Sequence, residues 1–132
     1  MNVYLDIDGV LLTKQHKIPE GAESLIRYLT EHCNCFWLTT HCRTGTNKAL
    51  DYLREFYPKA LIDCLEKVEA TNWSDLKTEG IDFTKDFVWL EDYPFESEKK
   101  VLIENDQLDA LILVDLTKAN ALLTVLKTIQ TR

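Results

Sequence analysis

Val3-Tyr4-Leu5-Asp6-Ile7-Asp8-Gly9-Val10 is an apolar run that delivers two carboxylates to a glycine. Such a run reads as a β-strand over residues 3–7, and the glycine lets the backbone turn after it. Side chains two apart on a strand share a face, so Asp6 and Asp8 are expected to address one site. Two carboxylates held that close repel each other, and a bound cation or a shared proton is the usual relief. The competing reading is an acidic turn after a surface strand, and the rest of the chain decides between the two.

Apolar runs alternate with helical periodicity along the whole chain, which is the pattern of an α/β domain on a parallel sheet. After the first strand, residues 10–19 are rich in polar and turn residues and are expected to form a small hairpin. Ala22, Leu25, Ile26 and Leu29 then fall on one helical face. A second strand, Cys35-Phe36-Trp37-Leu38, runs into Thr39-Thr40, and a second helix presents Ala49, Leu53 and Phe56 before Pro58 ends it. Further strands are expected at 60–63, at Phe87-Val88-Trp89-Leu90, and at 110–114, and a last helix carries Leu122, Val125, Leu126 and Ile129. Residues 64–86 and 93–109 carry no clear pattern. The expected architecture is therefore a five-stranded parallel sheet with strand one central, in a single domain spanning residues 1–132.

Composition narrows the function. The 132 residues are 45% hydrophobic and 28% charged, ordinary values for a globular protein. No apolar run is long enough to span a membrane, and the start lacks the basic and apolar regions of a signal peptide, so a cytoplasmic protein is expected. The net charge is −7 and the isoelectric point near 4.9. An acidic surface without a basic stripe disfavours nucleic acid as a partner. Cys33, Cys35, Cys42 and Cys64 show no metal-binding spacing. Cys35 and Cys64 lie in apolar stretches and read as buried, whereas Cys33 reads as an exposed thiol near a helix end.

In parallel α/β sheets, ligands bind beyond the carboxyl ends of the strands. Three expected strands end in polar residues: the first in Asp6 and Asp8, the second in Thr39 and Thr40, the fourth in Glu91 and Asp92. The order of acid pair, hydroxyl, lysine, acid pair does not fit a two-component receiver, in which the phospho-accepting aspartate ends the third strand. It resembles the haloacid dehalogenase superfamily instead. Asp6-Ile7-Asp8-Gly9-Val10 resembles its motif I, Phe36-Trp37-Leu38-Thr39 its motif II, and Phe87-Val88-Trp89-Leu90-Glu91-Asp92 its motif IV. Motif III is only a lysine upstream of motif IV. Lys77 is the first choice because it precedes a short helical segment, with Lys67 and Lys85 as rivals.

The resemblance implies a Rossmann-like three-layer sandwich and a Mg²⁺-dependent phosphomonoester hydrolase that works through an aspartyl phosphate. Asp6 would be the nucleophile and Asp8 the general acid–base. The acid at position 8 favours phosphoryl transfer over carbon–halogen cleavage. Asp6, the Asp8 carbonyl and Asp92 would hold Mg²⁺, with Glu91 behind them or orienting the lysine. Thr39, Thr40 and Lys77 would hold the phosphoryl oxygens. His41 and Arg43 follow motif II and border the site in this scheme, with His16 on the hairpin beside its mouth. Trp37 and Trp89 are expected to pack the sheet, and Lys99-Lys100 to lie on a solvated helix face.

The intervals between the motifs are too short for a cap domain, so the resemblance implies an open site. The expected partner is a phosphorylated small molecule or macromolecule, and an oligomer that covers the site in trans is compatible with the sequence. Two other functions fit the same residues. One is a non-catalytic or weakly active binding or regulatory module. The other is a domain that processes nucleic-acid 3′-phosphates, which would require a basic groove that the sequence does not show.

Overall fold

A computed structural model describes residues 1–42 and 48–132 of the chain; Arg43 lies outside them. Strand β1 (Asn2–Leu5) is central, with β2 (Asn34–Trp37) on one side, β3 (Phe87–Glu91) on the other and β4 (Leu111–Leu113) outside β3. All pairings are parallel, and Leu5 lies opposite both Trp37 and Leu90. This is an α/β, Rossmann-like arrangement, with the first strand in the expected central place.

Strand alternation sorts the side chains into two cores. Val3, Leu5, Cys35, Trp37, Val88 and Leu90 join helices α1 (Ala22–His32), α2 (Ala49–Leu53), α3 (Lys59–Leu65) and α5 (Ala121–Gln130) on one face. Tyr4, Leu38, Phe87 and Trp89 meet Trp73, Ile81 and Leu102 on the other, where α4 (Glu96–Glu104) lies. Both faces are covered, giving three layers. That is why β1 and β3 read as continuous apolar runs rather than alternating ones. Trp37 and Trp89 are fully buried, as expected of sheet-packing residues.

Among the described residues the sheet has four strands, not five. Residues 60–63 lie within α3, where Leu61, Ile62 and Leu65 are buried at one-turn spacing and Lys59 pairs with Asp63 at 3.1 Å. A short apolar run does not by itself distinguish strand from helix, and here Pro58 precedes a helix. The outer edge of β2 is instead met by a single residue. Glu69 donates its N–H to Cys35 O at 3.0 Å and accepts that of Trp37 at 2.7 Å.

Residues 10–19 form successive turns rather than a hairpin. Val10, Leu11 and Leu12 are fully buried, and their N–H groups all donate to Ile7 O. The Tyr57 hydroxyl holds the loop from α3's side, donating to Leu11 O at 2.7 Å. Helix α2 ends at Leu53, short of Phe56. Cys35 and Cys42 are buried, and Cys33 and Cys64 are half-buried. Cys64 is therefore less buried, and Cys33 less exposed, than the sequence suggests. Burial pushes the Cys35 thiol up to about 12, so it behaves as a core residue. No helix among the described residues is long and apolar enough to cross a membrane.

Candidate active site

The site is built where β1 and β3 end side by side. Asp6 follows β1 and still donates its N–H to Leu90 O at 3.2 Å, which keeps it in the sheet register. Asp6 continues the face of Tyr4, and Glu91 that of Trp89, so both carboxylates emerge on the α4 side. A 3₁₀ turn, Lys77–Gly80, faces them. The Lys77 Nζ donates to Glu91 Oε2 at 2.7 Å and lies 3.2 Å from Asp6 Oδ2. Lys67 and Lys85 are exposed, and neither pairs with these acids.

The side chains of Lys77, Asp6 and Glu91 are only 14%, 10% and 3% exposed, so their charges are weakly screened. Burial pushes the Glu91 carboxyl well above the usual carboxylate range; the Asp6 charge adds to this, and Lys77 opposes it only in part. Burial alone would lower the Lys77 ammonium, but the charges of Asp6 and Glu91 and their hydrogen bonds outweigh it and hold it above its ordinary value. One ammonium does not balance these acids. A proton or a cation is the remaining relief.

Asp92 supplies the third carboxylate. Ligand oxygens of Asp6, Glu91 and Asp92 all lie within 4.8 Å of one another. A Mg²⁺–oxygen bond of about 2.0–2.1 Å puts opposite ligands roughly 4 Å apart, so small shifts would bring this all-oxygen set onto a hard divalent cation. Glu91 is already committed through Oε2 to Lys77 and through Oε1 to the Tyr93 N–H at 3.3 Å. Asp6 and Asp92 are therefore the better direct ligands, with Glu91 orienting the lysine. Gly9 makes room for Asp92. Its φ is +85°, and a Cβ there would stand 2.2 Å from Asp92 Oδ2.

Asp8 sits differently from the expectation of one strand carrying both acids. β1 ends at Leu5, and Asp8 lies beyond the turn at Ile7, with its side chain 56% exposed. Its Oδ2 lies 3.1 Å from His41 Nε2, and its Oδ1 accepts the Tyr52 hydroxyl at 3.1 Å. His41 belongs to the 3₁₀ turn Thr40–Cys42 that follows β2. Thr39 is buried just before this turn, and its Oγ1 accepts the His41 N–H at 3.4 Å; Thr40 is exposed. His16 is exposed and stacks on Phe56, with ring centroids 5.6 Å apart.

Two contributors were not legible beforehand. Glu98 lies in the Glu96-to-Lys100 stretch that reads as a solvated face, yet it is buried. Its Oε2 accepts the Lys77 N–H at 2.7 Å and its Oε1 accepts the Phe95 N–H at 2.8 Å, so it ties the lysine turn to the start of α4. The other is Tyr52, whose place on α2 gave no signal. An open groove of about 650 Å³ leads away from Gly9 and Asp92, with Tyr93 and Leu113 as apolar walls and Lys14 and Lys118 on its rim.

The chain matches no protein-family model, no curated protein and no solved structure.

Proposed function

We propose that the protein is a Mg²⁺-dependent phosphomonoester hydrolase acting through an aspartyl phosphate on Asp6, of the kind found in the haloacid dehalogenase superfamily. One observation carries the reading: Lys77 bridges Asp6 and Glu91 while Asp92 stands within metal-ligand reach of both. A merely acidic turn has no need of a buried lysine between two strand-end acids.

In this reading a carboxylate oxygen of Asp6 attacks phosphorus and the bond to the ester oxygen breaks. Asp8 gives its proton to the departing alkoxide. Asp8 then takes a proton from water, which attacks the phosphorus, and the Asp6–phosphorus bond breaks to release inorganic phosphate. Both aspartates return to their starting state. Mg²⁺ would be held by the Asp6 and Asp92 carboxylates with the Asp8 carbonyl, and would neutralise charge on the phosphoryl oxygens. Lys77 and the Thr39–Thr40 turn would offset the rest. The groove beyond Asp92 would take the organic part of the ester, with Tyr93 and Leu113 against its carbon and Lys14 and Lys118 toward any further anionic group.

The test is a phosphate-release screen with Mg²⁺ over sugar phosphates, nucleotides, phosphopeptides and 3′-phosphorylated DNA. Release that requires Mg²⁺ and disappears in Asp6→Asn supports the reading. Metal binding with no release from any class would point to a binding or regulatory module. Preference for DNA ends would point to nucleic-acid repair, against the net charge of −7.

A further inference from the structure

We infer that His41 and Tyr52 form a two-donor clamp that positions Asp8 for proton transfer to the leaving group; this rests on the phosphohydrolase reading above. Asp8 needs such a device. It lies beyond the strand and is more than half exposed, so neither the sheet nor a packed core fixes its rotamer. A general acid that samples several rotamers is out of place for much of the time, and misplacement is costly in rate.

The clamp meets both oxygens from the same side. The two rings stack with centroids 4.1 Å apart and planes 16° from parallel, and each sends one polar atom to a different Asp8 oxygen at 3.1 Å. With the Asp8 proton reserved for the leaving group, both clamped oxygens act as acceptors, so His41 Nε2 carries the hydrogen in this pair, as the neutral Nε2–H ring or as imidazolium. Tyr52 is a phenol, so its O–H is the donor toward Asp8 Oδ1. Each carboxylate oxygen has a second acceptor site, so the clamp leaves room for the proton that Asp8 transfers.

The rings do not stand alone. Tyr52 packs edge-on against Phe56 at 5.4 Å, and Phe56 stacks on His16, so a column of four rings links the turn after β2 to the loop after β1. That column carries Asp8's position from two separate elements. His41 and Tyr52 are thus positioning residues, acting through Asp8 without touching the reacting phosphorus.

The distinguishing readout is leaving-group dependence. Protonation matters for an alkyl phosphate, whose alkoxide leaves poorly, and little for 4-nitrophenyl phosphate, whose phenolate leaves unaided. Tyr52→Phe keeps the stack and removes one donor. It should lower kcat/KM, which reports the ester-breaking step alone, about tenfold on an alkyl phosphate and barely on the nitrophenyl ester, while water activation by Asp8, common to both esters, shows only in kcat. His41→Leu should do the same, and His41→Gln, which retains an N–H donor, should recover part of the loss. The double variant should approach Asp8→Asn with the same ester selectivity. Equal losses of kcat/KM on both esters, or no loss on either, would overturn the clamp while leaving the site reading intact. If wild-type protein hydrolyses neither ester with Mg²⁺, or Asp6→Asn hydrolyses both as well as wild type does, the site reading itself fails and the clamp with it.

Discussion

The buried Glu98 carboxylate accepts the backbone N–H of Lys77 at 2.7 Å, while the Lys77 side chain reaches Glu91 at the same distance. The lysine is therefore held at both ends. Its main chain is pinned to α4 and its ammonium to the strand-end acid. Loss of Glu98 frees the main-chain end.

Glu98→Ala would leave the N–H groups of Lys77 and Phe95 without their carboxylate partner. An unsatisfied buried donor costs about 1–3 kcal/mol. We expect a clear loss of stability in urea denaturation, and a loss of phosphate release in the folded fraction because the lysine turn is no longer fixed. A variant with wild-type stability and activity would show that the contact is dispensable.

Lys77→Ala removes the cation from two buried carboxylates. The expected loss is about 2.7–4 kcal/mol of transition-state stabilisation, on the order of a hundredfold to a thousandfold in rate. Lys67→Ala and Lys85→Ala should match wild type, because both side chains are exposed and away from the acids. A large loss in either of those, with Lys77→Ala unaffected, would reassign the role.

Why some of this was legible in the sequence follows from where each residue's environment is set. Asp6, Glu91 and Asp92 end runs buried on both faces, and such runs announce strands and therefore their ends. Lys77 could be ranked above its rivals only by the short helical segment after it, and the 3₁₀ turn there agrees. The helix at residues 59–65 reads as a strand in the sequence because four apolar-rich residues fit either period. Glu98 and Tyr52 were invisible because their roles arise from tertiary docking. Glu98 matters only once α4 lies beside the Lys77 turn, and Tyr52 only once α2 packs under Asp8. Asp8 departs from the face of Asp6 for a local reason, because β1 stops at Leu5 and the chain turns at Ile7 before reaching it.

Gly9→Ala tests the approach of Asp92. The residue has φ +85°, so an alanine there carries backbone strain of roughly 1–2 kcal/mol. The greater effect is local. Its Cβ would overlap Asp92 Oδ2, and the carboxylate must move away. We expect a folded protein whose Mg²⁺ affinity falls at least tenfold by calorimetric titration. Unchanged affinity would mean that Asp92 does not contribute to the cation site.

Stability should depend on pH through Glu91. Its carboxyl is raised in the folded protein, first by burial and then by the Asp6 charge, above an ordinary value of 4.5. The folded state thus holds this proton more tightly than the unfolded chain does. The resulting stabilisation is complete below the ordinary value and is lost as pH rises toward the folded one. The raised Lys77 ammonium acts only near and above its ordinary 10.5. The lowered carboxylates Glu79, Asp82 and Asp115 act in the opposite sense, but only near and below their ordinary values of 4.5, 3.8 and 3.8. Between about pH 5 and pH 8.5, Glu91 should therefore make the melting temperature fall with pH in EDTA. Mg²⁺ competes with the same proton, so its stabilising effect should grow over that range. Glu91→Gln carries no proton to lose, and it should flatten the EDTA profile. A wild-type melting temperature that rises with pH in EDTA, or a slope unchanged in Glu91→Gln, would show that the excess negative charge is relieved at another group.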